Sequence, residues 1–147
     1  MAVSQVKLRI LYIMKILLEK TDEKHTMSAS DIDKELRRYG MSIDRKTVYN
    51  DIETLKAFGM DILQARGANS GYYIGRRDFE LPELKLLVDA VQASKFISRR
   101  KSEELIGKLE GLAGEHDARK LQRNVFIYNR PKTGNETIYY NVDQIHT

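Results

Sequence analysis

Residues 28–75 read SASDIDKELRRYGMSIDRKTVYNDIETLKAFGMDILQARGANSGYYIG, and this stretch decides the fold. Ser28 is placed to cap a helix, with Asp31 three residues on in the capping-box position and Ser30 as a rival cap. Ile32 and Leu36 are the apolar pair of that helix, and Gly40 is a left-handed terminator beyond its end. Met41 to Ile43 make a turn. Asp44 caps the next helix, which runs to about Phe58 and stops at Gly59. Val48, Ile52 and Leu55 recur at i, i+4 and i+7 and form its buried face. Asp61–Arg66 and Gly71–Ile74 then read as short strands joined by a flexible polar tip, Gly67-Ala68-Asn69-Ser70. Helix, sharp turn, helix and hairpin in this order are a winged helix-turn-helix, whose second helix fits the DNA major groove.

Upstream, Val6, Ile10, Ile13, Met14 and Leu17 recur at helical spacing over 6–19, and Leu8, Leu11 and Leu18 widen the stripe. The expectation is a deeply packed first helix. Lys7, Arg9 and Lys15 interrupt the run, which is too short and too charged to span a bilayer. It has no small-residue cleavage site either, so no secretory signal is read and a cytoplasmic setting is expected. Asn135-Glu136-Thr137 is taken as a chance sequon.

The 147 residues suffice for one or two small domains, and 31% charged with 41% hydrophobic residues fits a globular chain rather than a disordered or fibrous one. The absence of cysteine excludes disulfides, zinc ribbons and thiol nucleophiles. The net charge of +4 is unevenly placed. Residues 1–77 hold 14 Lys and Arg against 10 Asp and Glu, whereas 78–147 hold 11 of each. The whole excess therefore lies with the helix-turn-helix pattern, where a phosphate-binding surface needs it.

Downstream of the wing, Pro82 opens a helix with Leu84, Leu87, Val88, Val91 and Phe96 on one broad face. Ser98–Leu112 is a second helix carrying Leu105, Ile106, Leu109 and Leu112, weakened by its glycines. Glu115–Arg123 is a short charged helix. Two hairpin helices bury little surface alone, so a homodimer is expected through Leu84, Leu87, Val88, Val91, Leu105 and Leu109. Asn124–Tyr128 and Thr137–Val142 read as a last β-hairpin, and the chain stops without a closing element. The expected organisation is a winged helix-turn-helix domain over 1–77, a helical linker and dimerisation region over 78–123, and a hairpin over 124–147 leading to a missing C-terminal domain. The fold class is mainly α with small β.

Four segments, in order, carry a resemblance to a known family. They are the helix Asp44–Leu55, the wing end Gly71-Tyr72-Tyr73-Ile74, the helix start Phe79–Leu87, and Lys132-Thr133 with Ile138-Tyr139-Tyr140-Asn141. Together they cover almost the whole chain. The chain resembles the N-terminal part of bacterial DeoR-like helix-turn-helix regulators of the WYL-domain type. The resemblance implies transcription regulation, with an effector ligand bound by a C-terminal WYL domain. This chain has no tryptophan and no WYL-like triplet, so that domain is absent from it. Where the family often has Arg, this chain has Asn50, which implies a different base preference, since Asn reads adenine bidentately.

The candidate DNA-contacting residues follow from the second helix and the wing. Arg45 and Lys46 are phosphate contacts, and Thr47 either touches a phosphate or caps locally. Tyr49 and Asn50 are base-edge contacts. Arg66, at the base of the wing, reaches a phosphate or the minor groove. Arg38, with Arg37, ends the preceding helix near the DNA backbone, whereas Lys56 is read as solvated. No catalytic constellation is legible: His25, His116 and His146 are isolated and lack metal-ligand spacing. Neither enzyme activity nor a cofactor or metal is expected. Two alternatives remain open: a winged helix used for protein docking without specific DNA binding, and RNA or single-strand binding through Tyr72 and Tyr73, one of which is expected in the core.

Overall fold

The computed structural model describes residues 2–123 and Val125. The elements among them are α1 (Gln5–Lys20), α2 (Ala29–Arg37), α3 (Arg45–Phe58), β1 (Ile62–Ala65), β2 (Gly71–Ile74), α4 (Leu81–Ala93), α5 (Arg99–Glu110) and α6 (Glu115–Arg123). The protein is mainly helical with a small two-stranded antiparallel sheet, as the sequence leads one to expect. Apart from Val125, the hairpin expected over 124–147 lies outside the described residues. Two compact units divide the chain. The first runs to Asp78 and takes in Gly114–His116; the second holds Phe79–Ala113 and the residues from Asp117 on.

The first unit is a winged helix. Ile13, Ile16 and Leu17 of α1, Ile32 and Leu36 of α2, Val48, Ile52 and Leu55 of α3, and Ile62 and Ile74 of the hairpin form one buried cluster with Met27. Fully burying each such side chain contributes about 1.5–3 kcal/mol, which fixes α3 against α1, α2 and the sheet. The first helix is less deeply packed than its wide stripe suggests. Ile16 is buried, but Val6 and Leu11 are each 55% exposed and Leu18 is exposed as well. At 100° per residue, Leu11 and Leu18 face away from Ile13, Ile16 and Leu17.

Capping sets where the two central helices begin. Ser28 Oγ accepts from the Asp31 amide at 3.1 Å and Asp31 returns a bond to the Ser28 amide at 2.9 Å, so Ser28 rather than Ser30 is the cap of α2. Gly40 follows with φ 76°. Asp33 of α2 accepts from the Ile43 amide at 2.9 Å, which ties the turn to the helix before it. Asp44 then caps α3 through the Thr47 amide at 2.7 Å, and Gly59 ends it. Both carboxyls sit below their ordinary range, Asp33 chiefly through the Ile43 amide and then Arg37, and Asp44 chiefly through the Thr47 amide.

The segment 21–27 is more than a polar break. Thr21 is fully buried; its hydroxyl donates to the Leu17 carbonyl at 2.6 Å and accepts from the Ile74 amide at 3.0 Å, joining α1 to β2. Met27 exchanges both backbone hydrogen bonds with Tyr72, at 2.9 and 2.7 Å, adding a one-residue third strand. Gly71 makes this possible. Its φ is 151°, and a Cβ there would lie 2.7 Å from the Met27 carbonyl carbon, so neither the backbone conformation nor the space admits a side chain.

In the second unit, Leu84 and Val88 of α4 pack with Ile106 of α5 and Leu121 of α6, and Val125 packs on this cluster. α4 opens at Glu80, with a Glu80–Glu83 capping box and Pro82 in its first turn. It stops at Ala93, so Phe96 lies beyond the helix and is 61% exposed instead of continuing the apolar face. Leu112 likewise falls after the end of α5 and is exposed.

Candidate nucleic-acid interface

With Val48, Asp51, Ile52 and Leu55 buried, α3 presents Arg45, Lys46, Tyr49, Asn50, Glu53 and Thr54 outward. Asp51 interrupts an otherwise apolar face. Its carboxylate, 7% exposed, accepts from Arg9 Nε at 2.7 Å and Nη2 at 3.1 Å. These hydrogen bonds raise the Arg9 pKa above the ordinary guanidinium value. The pair clamps α3 to α1 and orients the outward face. Sequence reasoning missed it, because Arg9 read only as a charge within an apolar run.

The cations around this face differ in how far they are neutralised. Arg37 is paired with Asp33 at 3.0 Å, Arg38 with Glu35 at 3.3 Å, and Lys56 with Glu53 at 3.3 Å. Arg45 and Lys46 are exposed and have no ion pair among the described residues, and the same holds for Arg66. Arg38 is thus the weakest of the expected contacts, since DNA must compete with Glu35 for it. Thr47 is half-buried, and its backbone amide donates to the Asp44 cap at 2.7 Å. Tyr49 is 54% exposed, and the exposed Asn50 amide makes no hydrogen bond among the described residues.

The first turn of α3 carries no acidic residue and instead holds Arg45 and Lys46. Cations at the positive end of a helix dipole oppose helix stability by a few tenths of a kcal/mol each. The same placement adds their field to that of the free amides at the helix start, where anions bind.

The wing pairs Ile62 with Ile74 and Ala65 with Gly71. This register carries Arg66 to the far end of the hairpin, beside the tip, and not to the base where the sequence reading put it. Arg76, exposed and just past β2, is the cation at the base, and sequence reasoning passed over it. The tip is also tethered. Thr26 Oγ1 donates to the Asn69 carbonyl at 2.9 Å, and Asn69 Nδ2 donates to the Lys24 carbonyl at 3.1 Å. Tyr72 packs against the core and Tyr73 is half-buried, so neither is an open stacking platform.

The residues expected at a dimer interface lie in the second unit. Leu84 and Val88 belong to its core. Leu87, Val91, Leu105 and Leu109 line an open apolar groove of about 590 Å³ between α4 and α5. No group of three or more His, Asp or Glu suited to a metal occurs among the described residues, and none of their helices is long and apolar enough to cross a membrane.

Helix-turn-helix, tethered wing and unpaired cations at the start of α3 define a winged helix of the DNA-binding kind. Residues 5–67 match the family model described as FokI, D3 domain, a DNA-binding winged-helix-like domain. The match runs from α1 to the wing tip and contains α3 entirely. It is not the DeoR-like family that the sequence resembles; the two likenesses share the DNA-binding winged helix. No curated protein and no solved structure gives a significant match.

Proposed function

We propose that this chain is the operator-binding part of a cytoplasmic transcription regulator that reads double-stranded DNA as a homodimer. α3 enters the major groove, Arg45 and Lys46 neutralise phosphates at its start, and Asn50 offers its amide to an adenine edge while Tyr49 lies along the bases. Arg66 at the wing tip reaches the backbone or minor groove. The chain supplies no catalysis. The effector is bound by a C-terminal domain of the WYL type, as the DeoR-like resemblance implies.

One observation carries this reading: the first turn of α3, where helix stability favours acids, bears two cations without an ion pair among the described residues, while Arg37, Arg38 and Lys56 of the helix pair are each held by a carboxylate. A protein-docking winged helix has no need of that arrangement. Selection of bound sequences from a random duplex pool tests it. Wild type is expected to enrich a two-fold site with half-sites one helical turn or a multiple apart. Asn50→Ala is expected to enrich the same site with preference lost at one position per half-site. An unaltered preference in Asn50→Ala removes Asn50 from the readout, and no enrichment by wild type sinks the proposal.

A further inference from the structure

The wing tip, residues 66–70, is exposed throughout and contributes nothing to the buried cluster of the first unit. Without packing, a loop with a glycine at φ 93° faces the full entropic cost of ordering its backbone. In this chain the tip is nonetheless held. Thr26 Oγ1 donates to the Asn69 carbonyl at 2.9 Å and lies 3.3 Å from the Ser70 carbonyl, and Asn69 Nδ2 donates to the Lys24 carbonyl at 3.1 Å. Among the described residues, these are the hydrogen bonds that join the tip to the chain outside the hairpin.

The anchor itself is stiff. Asp22 Oδ1 accepts from the amides of Lys24 and His25 at 2.8 and 2.9 Å, and Asp22 and His25 exchange both backbone hydrogen bonds. Met27 does the same with Tyr72. Thr26 and Asn69 therefore tie the tip to a turn that is fixed at both ends. The tether also leaves the tip's cation alone. The anchoring turn carries Asp22 and Glu23, yet Arg66 has no ion pair among the described residues. Asp22 is taken by the two amides and by His25 Nδ1 at 2.8 Å. A hydroxyl, an amide and backbone carbonyls do the holding, and the Arg66 guanidinium stays available to an anion outside the chain.

We propose that Thr26 and Asn69 are positioning residues for DNA binding. They order the wing tip before DNA arrives, so that Arg66 meets the duplex without that ordering cost falling at the moment of binding. The inference rests on the DNA-reading role above and adds the two residues on which the wing contact depends.

The test uses the whole chain and a duplex that wild type enriches from the random pool. Asn69→Ala and Thr26→Val are each expected to bind it about 3- to 10-fold more weakly, the worth of one hydrogen bond in water. Thr26→Ser keeps the hydroxyl and is expected to bind as wild type does. Gly67 is the one residue of the tip with a φ in the left-handed region, so alanine at 69 adds no strain. In an Arg66→Ala background, Asn69→Ala is expected to change affinity less than about twofold, because the tip then has no cation to position. A merely structural loss lowers affinity by the same factor in both backgrounds. Trypsin cleavage after Arg66, measured without DNA, is expected to quicken in Asn69→Ala and Thr26→Val but not in Thr26→Ser. Unchanged cleavage, or an equal loss of affinity with and without Arg66, overturns the proposal and leaves the DNA-reading role standing. A wild-type chain that enriches no duplex removes that role, and the proposal with it.

Discussion

Replacing Arg9 by Met isolates what holds the recognition helix in place. The Asp51 carboxylate is 7% exposed and takes two charge-assisted hydrogen bonds from Arg9, whose side chain is 18% exposed. Removing one partner of a fully buried pair costs 3–5 kcal/mol, because a desolvated charge is left alone. The rim position of Arg9 lets water reach the orphaned carboxylate, which brings the expected cost of Arg9→Met down to about 2–3 kcal/mol. Removing both groups is different. Arg9→Met with Asp51→Leu leaves no charge to desolvate and is expected to return to within about 1 kcal/mol of wild type, a coupling of about 2 kcal/mol. Hydrogen exchange of the α3 amides, resolved over residues 45–58 by mass spectrometry, reads this locally. Protection is expected to fall about 30- to 150-fold in Arg9→Met and to recover in the double variant. A fall below about threefold, or a double variant as impaired as the sum of its parts, refutes the clamp.

Other expectations follow from the caps, the wing and the cations. Asp44 and Asp33 have carboxyl pKa values lowered in the folded chain, so their contribution is present above the unfolded value near 4 and lost as pH falls through the lowered ones. Thermal melts are expected to drop below about pH 4, with a shallower drop in Asp44→Ala, and an unchanged slope in that variant contradicts the cap's role. Gly71→Ala forces a Cβ onto the Met27 backbone at a φ of 151° and is expected to cost about 2–4 kcal/mol, read as a lower urea midpoint with loss of the Met27–Tyr72 amide protection. Wild-type stability in Gly71→Ala removes the argument for that glycine. Arg38→Ala is expected to weaken DNA binding less than Arg45→Ala, since Glu35 already engages Arg38; the reverse order in a titration at fixed salt contradicts the assignment.

Local signals carried most of the winged helix. The capping residues Ser28 and Asp44, the terminators Gly40 and Gly59, and the Val48-Ile52-Leu55 spacing state the helix boundaries in a few adjacent residues, and α3 begins and ends where they place it. What was illegible depends on distant partners. Arg9 and Asp51 are 42 residues apart, and Thr21 meets Ile74 across 53, so nothing near either residue announces the contact. The stripe on α1 misled because a helix wide in leucine shows only periodicity, not which arc its neighbours cover. Leu11 and Leu18 therefore looked buried and are not. Arg66 was assigned to the chain without a strand register, and the register moves it to the tip. In the site, identities and exposure of Arg45, Lys46, Tyr49 and Asn50 were readable from the helix face. Which cations are free was not, since pairing depends on side-chain reach.

Fluorescence anisotropy of the whole chain across a salt series, on duplex from upstream of its own coding sequence and on a scrambled duplex, tests the central claim most directly. The account predicts tighter binding to the native duplex at physiological salt. It also predicts a log–log salt slope that becomes shallower by about 0.9 per copy for each of Arg45, Lys46 and Arg66 replaced by Ala. Equal, salt-fragile binding to both duplexes, or no binding at low salt, contradicts it.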